Sequence, residues 1–180
     1  MNSPPESPAR APADLLPPIT QIAYLVEDLD QAVAFWARHL SVGPFKVIRN
    51  IQFSTSEYMG TPVDVDLSIA LAWRDGIQIE LMQHNSEAKS VFNDGLAPVG
   101  GFHHVGIRST DIVADEQKLI AAGMHRLQRN ISFTGTETIF FGGGPGVGIV
   151  ELIQTTDGGS FSEKLKQAAL EWDGVKPVLP

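Results

Sequence analysis

Four residues of this 180-residue chain have side chains suited to holding a metal ion, and internal similarity singles them out. The run Gln21-Ile-Ala-Tyr-Leu-Val-Glu-Asp28 has the layout of His104-Val-Gly-Ile-Arg-Ser-Thr-Asp111, a short apolar stretch ending in an Asp suited to cap a helix. Gln21 and His104 therefore hold equivalent places. Likewise Ile79-Glu-Leu-Met-Gln83 aligns with Val150-Glu-Leu-Ile-Gln154, which makes Glu80 and Glu151 equivalent. Amide oxygen, imidazole nitrogen and carboxylate oxygen all bind divalent cations.

Strand parity sharpens this. Over 77–84, Ile77, Ile79 and Leu81 share one face, while Gln78, Glu80, Met82 and His84 share the other. The first set covers a helix-facing core, so Glu80 points the opposite way, into a cavity. Glu151 is flanked by Ile149, Val150, Leu152 and Ile153. A carboxylate inside such a run needs a cation, a hydrogen-bond cluster or a metal, because an isolated buried charge is very costly. His103 precedes His104, and alternation along a strand lets only one of them face the cavity; the repeat selects His104.

The elements that must position these residues follow from periodicity. After Asp28, Val33, Trp36 and Leu40 recur at helical spacing, with Gln31 completing a box-like cap. After Asp111, Ile112, Glu116, Leu119 and Ile120 do the same, and Gly123 marks the stop. Each half then carries about three strand-like runs. In the first, Leu67, Ile69, Leu71 and Trp73 alternate, Asp75-Gly76 turns, and 77–84 returns. In the second, Thr138-Ile-Phe-Phe141 leads through a Gly-rich hairpin to 148–154. The expected class is α+β, with two tandem βαβββ modules (19–85 and 101–155) forming a curved eight-stranded mixed sheet around a cleft. The linker 86–100 is expected to hold a short helix, capped at Ser86 and stopped at Gly95.

The ends read differently. Residues 1–18 are rich in Pro, Ser and Ala and lack an apolar h-region, so a disordered tail is expected rather than a secretory signal. Over 156–180, Ser160-Phe-Ser-Glu163 has capping-box form, and Phe161, Leu165, Ala168 and Trp172 follow at helical spacing.

Composition narrows the function. Thirteen Lys and Arg against 21 Asp and Glu give a net charge of −8, which argues against non-specific nucleic-acid binding. No stretch approaches the roughly 20 apolar residues of a membrane span. Cysteine is absent, which removes disulfides, Cys-ligated zinc, iron–sulfur clusters and a thiol nucleophile, and fits a cytoplasmic location.

On Gln21-Ile-Ala-Tyr-Leu-Val-Glu-Asp-Leu-Asp30, Ile79-Glu-Leu81, Gly101-Phe-His-His-Val105 and Ile149-Val-Glu-Leu152, residues 19–155 resemble the vicinal oxygen chelate superfamily of glyoxalase I, methylmalonyl-CoA epimerase, extradiol dioxygenases and bleomycin-resistance proteins. The stretch Asn85–Ile107 looks most like the epimerase branch. The resemblance implies one divalent metal held by Gln21, Glu80, His104 and Glu151, a set like that of animal-type glyoxalase I. It lacks the two-His-one-carboxylate iron site of dioxygenases.

The expected enzyme is then a metal-dependent isomerase, epimerase or lyase. Lewis-acid stabilisation of an oxyanion would accompany proton transfer beside a carbonyl, with Glu151 or Glu80 as the catalytic base. Zinc, nickel, cobalt, manganese and magnesium all suit the donors. His84, Tyr58 and Trp73 are candidate substrate-binding residues. Arg38, Arg49, Arg74, Arg108, Arg126 and Arg129 form no cluster in the sequence, so a hydrophobic carbonyl substrate is as plausible as a glutathione or CoA derivative. The alternatives are a non-catalytic binder of a drug-like or aromatic molecule, and a resistance enzyme adding a thiol or water. A homodimer is expected, with the site formed within one chain or across two.

Overall fold

The computed structural model describes residues 15–146 and 148–180. Most of the tail expected over 1–18 therefore lies outside the described residues. The elements run β1 (Ile19–Leu25), α1 (Leu29–Leu40), β2 (Lys46–Ile51), β3 (Phe53–Tyr58), β4 (Thr61–Pro62), β5 (Leu67–Arg74), β6 (Ile77–His84), β7 (Gly101–Arg108), α2 (Ile112–Ala121), β8 (His125–Ser132), β9 (Glu137–Gly144), β10 (Gly148–Gln154) and α3 (Ser160–Glu171).

The strands form one curled mixed sheet in the order β2-β5-β6-β1-β7-β10-β9-β8-β3-β4. β1 and β7 pair antiparallel at its centre, and each pairs parallel with the last strand of its own half, β6 or β10. The sheet has ten strands, where the sequence predicted eight. The additional pair is the hairpin β3–β4, whose turn residues Met59 and Gly60 both adopt positive φ. β3 pairs with β8, some 70 residues away, so no local pattern could announce it. Because β2 runs into β3 through Gln52 alone, the chain passes from the first strand of the sheet to its ninth and draws the curl together.

Helix ends follow the sequence closely. Asp28 Oδ1 accepts from the Gln31 amide at 2.9 Å, and Asp111 Oδ1 from the Ala114 amide at 3.0 Å. The α3 cap differs from the Ser160 box. Gly159 is the capping residue, and Asp157 accepts from the amides of Gly159 and Phe161 at 3.0 and 2.8 Å.

Residues 86–100 form turns instead of a short helix. Their polar groups are taken by the body of the protein. The Val91 amide donates to Gln128 Oε1, the Val91 carbonyl faces the His103 ring, and the Ser86 hydroxyl bonds the His84 ring. With Val91 and Phe92 plugged into the interior, a helical turn would forfeit those contacts.

Alternation sorts the core into layers. Ile22, Tyr24, Ile79 and Leu81 pack outward on α1 residues Leu29 and Val33, while Val150 and Leu152 pack outward on α2 residues Ile112 and Leu119. Inside the curl, Ala23, Leu25, Met82, Phe92, Leu127, Phe140 and Ile149 close one end. α3 packs on β5 through Leu165, Leu71 and Trp73. Among the described residues no helix is long and apolar enough to cross a membrane.

Candidate metal centre

Register brings the four repeat-related residues together. Gln21 of β1, Gly106 of β7 and Glu151 of β10 lie side by side. One step deeper, Glu80 of β6, Ala23 of β1 and His104 of β7 do the same. The positions between the candidate ligands are therefore Gly106 and Ala23, the two smallest residues. A Cβ on Gly106 would lie 2.2 Å from Gln21 Oε1, so the glycine provides the space that the amide occupies. All four residues come from a single chain and are at most 7% exposed.

One ligand atom from each of Glu80, His104 and Glu151 falls within 4.8 Å of the others. His104 Nε2 lies 2.9 Å from Glu151 Oε2 and 3.5 Å from Glu80 Oε2. Gln21 Nε2 donates to Glu80 Oε2 at 3.0 Å, leaving Gln21 Oε1 buried with no partner among the described residues. Burial pushes the Glu80 carboxyl up to about 8, with Glu151 adding repulsion and His104 and Arg108 opposing. Burial likewise pushes Glu151 up to about 8 against the pull of Arg108. Two ionised carboxylates are unstable here unless a cation joins them.

Proton positions on the two histidines follow from one backbone carbonyl. Val91 O can only accept, so His103 Nε2 carries the hydrogen of their 3.0 Å bond. His103 Nδ1 must then accept from His104 Nδ1, 2.8 Å away, which leaves the lone pair of His104 on Nε2. Burial keeps both rings neutral, pushing His103 down to about 3 and His104 to about 4. When the carboxylates are ionised, the free lone pair of His104 points at them without a hydrogen to share, and among the described residues Nε2 has no hydrogen-bond partner. That frustration is relieved by a divalent ion, for which neutral imidazole with its other nitrogen held is the ordinary ligand.

The alternation rule fails at this point. Ala23 pairs with His104 and Tyr24 with Phe102, so His103 is the extra residue of a β-bulge. Both His103 and His104 therefore turn inward, and both rings lie edge-on to Phe140.

The three candidate substrate residues lie away from the cluster. His84 bonds Ser86 Oγ at 3.0 Å at the far end of β6. The Tyr58 hydroxyl donates to Asp94 at 2.7 Å. Trp73 is buried under α3, with the Lys166 ammonium over its ring. None of them lines the cavity of about 520 Å³ that opens above Gln21, Glu80 and Glu151. Its walls include Ile69, Leu71, Phe133, Phe140 and Ile153, together with Phe161 of α3. It also exposes Gln78 and Arg108, which the sequence analysis did not assign to a site. Strand parity could have found both, since Gln78 shares the face of Glu80 and Arg108 that of His104.

The family model of the glyoxalase/bleomycin resistance protein/dioxygenase superfamily matches residues 20–141. The chain belongs to that superfamily. No curated protein matches it. Among solved structures, a hypothetical protein from Bacillus halodurans C-125 is 17% identical, with a TM-score of 0.54 over 78% of this chain and 95% of that one. Methylmalonyl-CoA epimerase from Mycobacterium tuberculosis is 19% identical, with a TM-score of 0.50 over 77% and 87%. A Streptomyces coelicolor methylmalonyl-CoA epimerase in complex with 2-nitronate-propionyl-CoA is 21% identical, with a TM-score of 0.48 over 79% and 99%. At these identities the likeness to the first two is one of fold. The metal that the superfamily implies fits the residues present, because Gln21 Oε1 and His104 Nε2 are buried ligand atoms without partners.

Proposed function

We propose that this superfamily member is a divalent-metal-dependent enzyme that moves a proton next to a carbonyl of a small substrate, as an isomerase, an epimerase or a lyase. The observation that carries this reading is the pair of buried carboxylates beside an imidazole whose only free valence is a lone pair. Gln21, Glu80, His104 and Glu151 would hold one ion, which when bound supplies Lewis-acid stabilisation of a developing oxyanion.

The chain's own groups do the rest. His103, anchored on Val91 O, keeps the His104 ring oriented and its Nε2 unprotonated. Glu151 takes the proton and returns it, and Glu80 is the other carboxylate able to do so. Gln21 fixes the position of Glu80 through its amide. The apolar walls exclude water from the reacting carbon. On this reading β1–β6, less the β3–β4 hairpin, and β7–β10 are tandem βαβββ modules, and one chain completes the site without a second subunit. A cytoplasmic enzyme that works alone or as a homodimer fits equally.

Metal analysis of protein purified without chelator tests the first half; about one divalent ion per chain is expected, lost in Glu80→Ala. A screen of small carbonyl compounds in deuterated water tests the second, with exchange of the proton beside the carbonyl as the expected result. Protein that takes up no ion and exchanges no proton would replace this reading with a binder of apolar molecules, which the mostly apolar cavity favours as the second reading.

A further inference from the structure

The cavity carries a second polar feature beside the metal centre, where Gln78 stands opposite Gln21 in the register of β6 and β1. Arg108 and Gln78 face each other across β7 and β6, with Arg108 Nη2 donating to Gln78 Oε1 at 3.0 Å. That bond leaves Arg108 Nε and Gln78 Nε2 buried without acceptors. Seven buried side-chain polar atoms lack partners among the described residues, and five belong to this cavity and its floor: Gln21 Oε1, His104 Nε2, Gln78 Nε2, Arg108 Nε and Ser162 Oγ. The first two are ligand atoms that await a cation. The other three include two N–H donors and a hydroxyl, the complement of an anion.

Charge points the same way. Among the described residues Arg108 is the one cation lining the cavity. Glu80, Glu151 and Asp157 lie near enough to act on it through space, yet none makes an ion pair with it. Asp157 is occupied at the start of α3 by the amides of Gly159 and Phe161. A guanidinium that is partly buried and hydrogen-bonded only to a neutral amide binds a planar, singly charged oxygen pair well. Beyond it the walls are apolar, among them Ile69, Leu71, Phe133 and Ile153.

We infer that Arg108 and Gln78, with the Ser162 hydroxyl, anchor a carboxylate, and that the substrate is a small apolar-bodied carboxylic acid. This deepens the proposed function by naming the substrate class for the same cavity, and it rests on that reading only for the carbonyl that reacts. α3 packs on β5 and brings Phe161 and Ser162 to the cavity, where Phe161 adds to the wall for the apolar body.

The test is binding, measured on chelator-treated protein at pH 6, so that the result does not depend on a metal or on turnover. Calorimetric titration compares 3-phenylpropanoate and hexanoate with their primary amides, and with acetate and inorganic phosphate. The acids should bind about tenfold or more tighter than the amides, as expected when a hydrogen bond to a charged group is lost. Acetate should bind far more weakly for want of an apolar body. Arg108→Gln should erase the preference for acid over amide while leaving amide binding within about twofold. Arg108→Lys keeps the charge and should retain part of the preference, which guards against a folding failure of the first variant. Equal binding of acids and amides, or an unchanged preference in a folded Arg108→Gln protein, overturns the anchor. Phosphate that displaces hexanoate at comparable concentration overturns the assignment to carboxylates. Loss of metal binding or of proton exchange, with the acid preference intact, would instead count against the proposed function alone.

Discussion

Gly106→Ala probes the centre without replacing a candidate ligand. A methyl group at that position would lie 2.2 Å from Gln21 Oε1 and 2.8 Å from Gln21 Cβ. The amide must therefore retreat by roughly 1 Å or more to regain van der Waals separation. Gly106 is not one of the glycines with positive φ, so its backbone torsions accept alanine, and the close approach to Gln21 Cβ asks for a small local adjustment between β1 and β7. Gln21 then loses both its place beside Glu80 and the direction of its free oxygen. Displacing a residue that orients a metal site costs about 10–100-fold in affinity, or roughly 1.4–2.8 kcal/mol. The assay is a competition titration of zinc or nickel against a chromophoric chelator, run on wild type, Gly106→Ala, Gln21→Ala and the double variant. Because the nearest atoms to the methyl all belong to Gln21, most of its effect should vanish once the amide is gone, and the double variant should bind only slightly more weakly than Gln21→Ala, the residue-21 Cβ that remains being the source of the difference. Unchanged affinity in Gly106→Ala, or losses that add in full, would refute the placement of Gln21 in the coordination sphere.

Three further outcomes are expected. Glu151→Gln should leave the fold intact and lower turnover of any identified substrate by at least ~100-fold, the usual worth of a general base; near-normal rates would remove Glu151 from the mechanism. The chelated protein should lose stability with rising pH. Both buried carboxyls are raised from 4.5 to about 8 in the folded state, so their contribution is complete below the unfolded value and fades as pH climbs through the folded one. Even one pKa unit retained in solution is about 1.4 kcal/mol, or roughly 3–6 °C in Tm at this chain length, and scanning calorimetry from pH 5 to 9, with and without metal, would show it. A Tm that stays flat or rises without metal contradicts the burial of the pair. His103→Phe should keep the packing against Phe92 and Phe140 but strip His104 Nδ1 of its acceptor, weakening metal binding about 10–100-fold. Metal affinity equal to wild type would show that His104 needs no such partner.

Much of the centre was legible in the chain itself. The repeat placed Gln21 with His104 and Glu80 with Glu151, and parity turned Glu80 away from the helix-facing core. Both signals are local, since they need only the period of a strand and the cost of a lone charge among apolar neighbours. The caps Asp28 and Asp111 were legible for the same reason, because a cap bonds to amides three residues away.

What the sequence left open depends on partners far along the chain. The inward turn of His103 is decided by a bulge against β1, and its tautomer by the carbonyl of Val91 in a segment that read as helix. β3 finds its partner in β8, and the cavity exists only because the sheet curls. Arg108 and Gln78, 30 residues apart, become neighbours through the strands on either side of β1. A one-dimensional pattern fixes which side of its own strand a residue occupies; which residues of other strands meet it there is set by sheet register, and register is a property of the closed fold.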